Sequence, residues 1–135
     1  MQFRFEIEPV SQARPRARRI GKGIMLYDPK NVKQFKEELH ALAEQRYQYA
    51  PLKGELTVEI TFYRRVQSSI SRSERNRRLT GEVNPTVKPD IDNYIKSALD
   101  ALNGVIWKDD NQITNLIAHK RYAEEPRIEM VVIER

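Results

Sequence analysis

The sequence contains no cysteine. That excludes a disulfide framework, a thiolate zinc site and a cysteine nucleophile. Its only two histidines, His40 and His119, are too few to form a zinc site by themselves. No apolar run approaches the roughly 18–20 residues that a transmembrane helix needs. The opening Met1-Gln2-Phe3-Arg4-Phe5-Glu6 lacks the basic-then-apolar order of a secretory leader. These absences lead to the expectation of a cytoplasmic protein without a membrane partner. At 135 residues it is read as one domain, 1–135, large enough for a single core.

What is present in excess is positive charge. Lys and Arg number 24 against 19 Asp and Glu, a formal net charge of +5, which favours a polyanionic partner, nucleic acid before membrane. The charge is unevenly placed. Arg14, Arg16, Arg18, Arg19, Lys22, Lys30, Lys33 and Lys36 form one basic stretch, interrupted only by Asp28. Arg64, Arg65, Arg72, Arg75, Arg77, Arg78 and Lys88 form a second, with Glu74 and Glu82. Between Asp90 and Asp110 the sign reverses: Asp90, Asp92, Asp100, Asp109 and Asp110 face only Lys96 and Lys108.

Phe3, Phe5 and Ile7 alternate with Arg4, Glu6 and Glu8, the pattern of a half-buried strand ending at Pro9. Gln12 to Gly23 reads as a basic loop, and Gly23 to Tyr27 as a short strand. Asp28-Pro29 predicts a helix start, with Asp28 as N-cap. Val32, Phe35, Leu39, Leu42, Arg46 and Tyr49 carry that helix to about Tyr49. Leu56, Val58, Ile60 and Phe62 make the clearest strand. The basic stretch 65–88 is either a mobile loop or a loop holding a short helix opened by Ser71-Arg72-Ser73-Glu74. Asp92 to Asn103 predicts a second main helix, stopped by Asn103-Gly104. Val105-Ile106-Trp107 reads as a short strand and Asp109-Asp110-Asn111 as a turn. Gln112–Tyr122 and Arg127–Glu134 read as a hairpin through Glu124-Glu125-Pro126. The order predicts an α+β domain, a mixed β-sheet with two main helices packed on it.

The acidic centre has two readings. Asp90 and Asp92 are two residues apart at the start of a helix; if Asp90 is extended, both carboxylates project to one side and Ile91 points into the core. Clustered carboxylates raise one another's pKa unless a cation is present, and an all-oxygen set selects a hard ion, Mg²⁺ with Mn²⁺ as substitute. Such an ion in a basic protein acts on phosphates. Lys96, four residues after Asp92, suits a phosphate oxygen or the attacking water. The bland reading makes Asp90-Ile91-Asp92 an N-cap with a first-turn acid, Asp109-Asp110 a turn, Lys96 a solvated partner of Asp92 or Asp100, and the arginines solvated faces. Asp100 is read as structural, His40 and His119 as surface or packing residues, and Trp107 as core.

The stretch from Lys88-Pro89-Asp90-Ile91-Asp92-Asn93, through Lys96 and Asp100-Ala101-Leu102, to Trp107-Lys108-Asp109-Asp110-Asn111-Gln112 resembles the RusA family of Holliday junction resolvases. The Pro9–Arg16 opening and the strand from Leu56 to Arg64 are also similar, so the resemblance covers most of the chain. It implies a RusA-like fold and a Mg²⁺-dependent endodeoxyribonuclease that cuts four-way junction DNA as a homodimer, in recombination and repair, leaving 5′-phosphate ends. The family's catalytic carboxylates carry over to Asp90, Asp92 and Asp110, and its lysine to Lys96. Asp109 matches the neighbouring acid and joins the expected metal set. Arg14, Arg16, Arg18, Arg19, Arg72, Arg75, Arg77, Arg78 and Lys88 are the expected DNA contacts, through phosphates that carry no base information. The alternatives are a junction-binding module without catalysis and a metal nuclease for another branched substrate. Paired nicks need two active sites and the chain offers one acidic cluster, so a two-fold homodimer is expected. Tyr47, Tyr49 and Leu52 are candidates for its interface.

Overall fold

In the computed structural model, all 135 residues are described. The elements in chain order are β1 (Gln2–Phe5), β2 (Arg16–Ile20), β3 (Gly23–Tyr27), α1 (Lys30–Arg46), β4 (Leu56–Arg65), α2 (Arg72–Leu79), α3 (Ile91–Leu102), β5 (Ile113–Ala123) and β6 (Arg127–Glu134). Strands β1, β6, β4 and β5 form one mixed sheet in that order, and β2 and β3 form a separate two-stranded ribbon. The α+β expectation holds, with α2 as a third, short helix.

The alternation in β4 does what period-two patterning predicts. Leu56, Val58, Ile60 and Phe62 are buried, while Thr57, Glu59 and Thr61 lie on the opposite face. Helix α1 buries Val32, Phe35, Leu39 and Ala43, one stripe at helical spacing. Helix α3 buries Tyr94, Ala98, Leu99, Ala101 and Leu102. The two helices pack on one another and share one core cluster with Phe5, Ile128, Met130 and Trp107. No helix is long and apolar enough to cross a membrane.

Four local expectations are corrected. Gln12–Gly23 is not all loop: Arg16–Ile20 pairs with Gly23–Tyr27 in antiparallel register. Asp28 does not cap α1, whose N-cap is Pro29; its carboxylate instead accepts from Gln12 Nε2 at 2.9 Å and Lys36 Nζ at 2.8 Å. Val105-Ile106-Trp107 forms a tight turn rather than a strand; its side chains are buried in the core, and Trp107 makes only isolated bridges, to Leu52 and Asn103. Gly104 takes φ +81° there, the left-handed conformation that a stop after Asn103 requires. Finally, β5 and β6 are not a hairpin. Strand β4 lies between them, parallel to β5 and antiparallel to β6. A parallel pair needs a long crossover, and residues 66–112, with α2 and α3, supply it. Strand β4 thereby takes an interior place, where two neighbours cover its edges.

Candidate active site

Asp90 is the N-cap residue of α3 with extended backbone (φ −66°, ψ 146°). Its backbone carbonyl accepts from the Asn93 and Tyr94 amides, but its side chain caps nothing. Asp90 and Asp92 are both exposed, and Ile91 between them is half-buried. The carboxylates are therefore directed outward without a protein partner. Lys96 follows one turn later on the same exposed stripe, and it too makes no ion pair or hydrogen bond within the chain.

The approach to Asp90 is clamped from behind. Lys120 Nζ on β5 donates to the carbonyls of Val87 (2.9 Å) and Pro89 (2.8 Å), and Arg64 Nη1 on β4 donates to that of Lys88 (2.9 Å). Sequence reasoning missed this use of Lys120, because the contact joins residues more than thirty positions apart. On the other side of α3, Gln12 N donates to the Asn93 carbonyl at 2.8 Å, and the buried Ser97 hydroxyl donates to that of Val10.

The opposite end of α3 is built differently. Asp100 pairs with Lys36 on α1 at 2.9 Å, not with Lys96, and the same ammonium holds Asp28. Burial works to lower the Lys36 pKa, but the hydrogen bonds and charges of Asp28 and Asp100 outweigh it and hold the group above the usual lysine value. Asp28 is held below the usual carboxylate value, chiefly by the Lys36 hydrogen bond. Asp109 opens a short 3-10 turn, Asp110–Gln112; its Oδ1 accepts from Asn111 N, and its amide donates to Gln112 Oε1 at 2.9 Å. Gln112 Nε2 then donates to the carbonyls of Leu52 and Gly54, pinning the turn to the start of β4. The spacing Asp-Asp-x-Gln thus has a structural meaning of its own. Asp110 is pushed above the usual carboxylate value, first by burial, then by Asp109, with the Asp100 charge adding; a hydrogen bond from Asn103 opposes this.

The expected ligands are thus distributed over both ends of a 12-residue helix about 18 Å long. No group of three acidic or histidine side chains within one protomer is placed to hold a metal ion.

The nine expected DNA contacts fall into two groups. Arg14, Arg16, Arg18, Arg19, Arg72 and Lys88 are exposed and their side chains are unpaired. Arg75 pairs with Glu124 at 3.8 Å, and Arg77 with Glu74 at 3.0 Å and Glu82 at 3.5 Å. Arg78 pairs with Glu74 at 3.0 Å and stacks over Tyr122, 4.9 Å from the ring centre. It anchors α2 to β5. Ser71 caps α2 by accepting from the Glu74 amide, while the Glu74 carboxylate accepts from Arg77 and Arg78 rather than closing a capping box, so a short helix occupies part of 65–88. Trp107 is fully buried and donates to Asn103 Oδ1, as a core residue should. Tyr47 is also buried and only Tyr49 of the interface candidates is strongly exposed.

Comparison with known proteins places the chain in a family. A protein of Bacillus subtilis (strain 168), the uncharacterized protein YqaN, is 37% identical over 129 residues, covering 94% of this chain and 91% of its own length. The family description "Endodeoxyribonuclease RusA" matches residues 6–133, which takes in α3, both acidic ends and, of the main sheet, all of β4 and β5 and nearly all of β6. With that match spanning nearly the whole chain, the protein belongs to the RusA endodeoxyribonuclease family.

Proposed function

We propose that this protein is a Mg²⁺-dependent endonuclease that resolves four-way DNA junctions by paired symmetric nicks, in recombination and repair. The observation that carries the reading is the N-terminal end of α3: two outward carboxylates and one lysine, all without protein partners, in a basic chain of this family. The donor set suits a hard ion. Mg²⁺ is held by one or two carboxylates together with substrate phosphate and water, so Asp90 and Asp92 meet its needs. Asp110, raised by burial and by Asp109, is a carboxyl group that gains from a nearby cation. When bound, the ion supplies charge neutralisation at the scissile phosphate and an activated water.

The chain's own residues divide the rest of the work. Lys96 places an ammonium beside the non-bridging oxygens, where negative charge grows as the phosphorus is attacked. Arg64 and Lys120 fix the backbone before Asp90 and so aim its carboxylate. The unpaired Arg14, Arg16, Arg18, Arg19, Arg72 and Lys88 hold phosphates and set the position of the DNA. The working unit is a two-fold homodimer. One protomer leaves its acidic ends separate, and a second copy that brings Asp109/Asp110 to Asp90/Asp92 closes the set.

The test is a panel of labelled four-way, Y-shaped, duplex and single-stranded DNA in Mg²⁺, Mn²⁺ and EDTA. The expected result is symmetric nicks in the four-way junction alone, with ligatable 5′-phosphate ends, and none in EDTA. Junction binding without cleavage in either metal would make the protein a binding module. Equal cutting of the other branched DNA would assign another substrate. Light scattering is expected to give twice 15.9 kDa. Mixed Asp92→Asn and Asp110→Asn chains are expected to regain nicking of one strand, since one of the two shared sites is intact; no regain would place each site within one protomer.

A further inference from the structure

The β2–β3 ribbon has no core of its own. All ten of its residues are exposed, Ile24 to 74% and Leu26 to 68%. An isolated two-stranded ribbon is marginally stable in water, and exposed apolar side chains on one call for a partner. Its two strands differ in chemistry. Strand β2 carries Arg16, Arg18 and Arg19, and Arg14 and Lys22 flank it with no acid among them. Strand β3 is Gly-Ile-Met-Leu-Tyr. Register puts Arg19 opposite Ile24 and Ala17 opposite Leu26, so both apolar side chains share one face beside an arginine, while Arg16 and Arg18 lie on the other face opposite Tyr27 and Met25.

The stem of the ribbon is tied to the helix that carries Asp92 and Lys96. Gln12, before it, donates its amide to the Asn93 carbonyl in the first turn of α3, and its side chain to Asp28, which follows the ribbon. Five residues of strand extend about 17 Å, or about five base-pair steps. Two identical arms this basic repel one another, which argues against a second copy as the occupant and for a polyanion. Ile24, Met25 and Leu26 have no groups with which to hydrogen-bond base edges in a groove. Apart from a thymine methyl, what DNA offers them to pack on is base faces, which a duplex hides by stacking and an unstacked branch exposes.

Resting on the function proposed above, we infer that the β2–β3 ribbon is the element that recognises the branch point: Arg16, Arg18 and Arg19 grip phosphates while Ile24 and Leu26 pack on bases unstacked at the crossover.

The test uses the full-length chain in EDTA with junctions carrying 2-aminopurine, whose fluorescence rises on unstacking, either at the branch or within an arm. A rise at the branch alone is expected. Ile24→Ser/Leu26→Ser is expected to lose that rise and to bind the junction roughly tenfold more weakly, with duplex affinity almost unchanged. Arg16→Ala/Arg18→Ala is expected to keep the rise at saturation and lose affinity for both DNAs. Cleavage by the unaltered chain in Mg²⁺, measured in parallel, reports on the proposed function alone. A chain that cleaves junctions but gives no rise, or an apolar variant that keeps the full rise, overturns the role of the ribbon and leaves the function standing. A fall from dimer to monomer mass in the apolar variant also overturns it, by giving the ribbon to a second copy.

Discussion

The two ends of α3 carry the same residue type to opposite effect. At the N-terminal end, Asp90 and Asp92 have no partner in the protein. At the C-terminal end every aspartate is engaged: Asp100 by Lys36, Asp109 by the Asn111 amide, Asp110 by Asn103. Carboxylates left outward are available to something that comes from outside; carboxylates already bonded hold the molecule together. Asp110 belongs to both classes, since burial and its acidic neighbours raise its pKa even though Asn103 bonds it.

That contrast can be broken most sharply by substitution at the free end. Asp92→Asn is expected to lower single-turnover junction cleavage by about 10³-fold or more, because the ion contributes several kcal/mol at the transition state. Its unfolding free energy should change by no more than about 1 kcal/mol, the value of a first-turn acid. Junction binding in EDTA should persist. Near-normal cleavage would return Asp92 to a helix-end role. Lys96→Ala should cut the same rate by about 10²–10³-fold with little change in affinity. Arg72→Ala should instead weaken binding and reduce the salt slope by about one.

Smaller effects test the supports. Lys120→Met frees the carbonyls before Asp90, and a rate loss of about 10–100-fold is expected, as for other groups that orient ligands. Rescue by Lys120→Arg would show that donation, rather than bulk, matters. At the engaged end, Lys36→Met should cost about 1–3 kcal/mol in denaturant unfolding by stranding Asp28 and Asp100. The pH dependence follows from the two shifts. Asp28 is lowered in the fold, so its contribution is present above the usual carboxylate value and fades as pH falls through the depressed one. Lys36 is raised, so its contribution is complete below the usual lysine value and fades as pH rises through the elevated one. The variant should lose both slopes. Asp110 has the reverse sign: its ionised form is disfavoured by folding, so Asp110→Asn should raise Tm at neutral pH, and that gain should vanish in acid. A drop in Tm at neutral pH would mean that the Asn103 bond outweighs the repulsion.

The same contrast explains what was legible in the sequence. The free end was readable because its signal is local: Asp-x-Asp at a helix start, with a lysine one turn on. The core strand β4 and both main helices were readable because burial imprints a period on the chain. Strand β2 was not, because Arg-Ala-Arg-Arg-Ile has no buried face and so no alternation. The β5–β6 pairing failed because sequence adjacency favours a hairpin, whereas β4, from earlier in the chain, lies between the two strands and pairs with both. Lys36, Lys120 and Arg78 carry no local signature; each acts by reaching another element. Lys36 was visible only as one more cation in a basic run, yet it joins α1 to the acidic end of α3.

Strand β1 has a consequence for how the chain reaches this state. Its only sheet partner is β6, with Phe3 opposite Met130, so two strands more than 120 residues apart pair with one another. Strand β6 is also the antiparallel neighbour of β4. On a ribosome, the sheet cannot close until residues 127–134 have emerged; until then Phe3 and Phe5 wait unpaired, and both edges of β4 stay open until β5 and β6 follow. High sequence separation of this kind slows folding and exposes sticky surface to chaperones and to neighbouring chains. Deleting residues 127–134 would therefore be expected to remove two pairings at once and leave no partial domain to rescue.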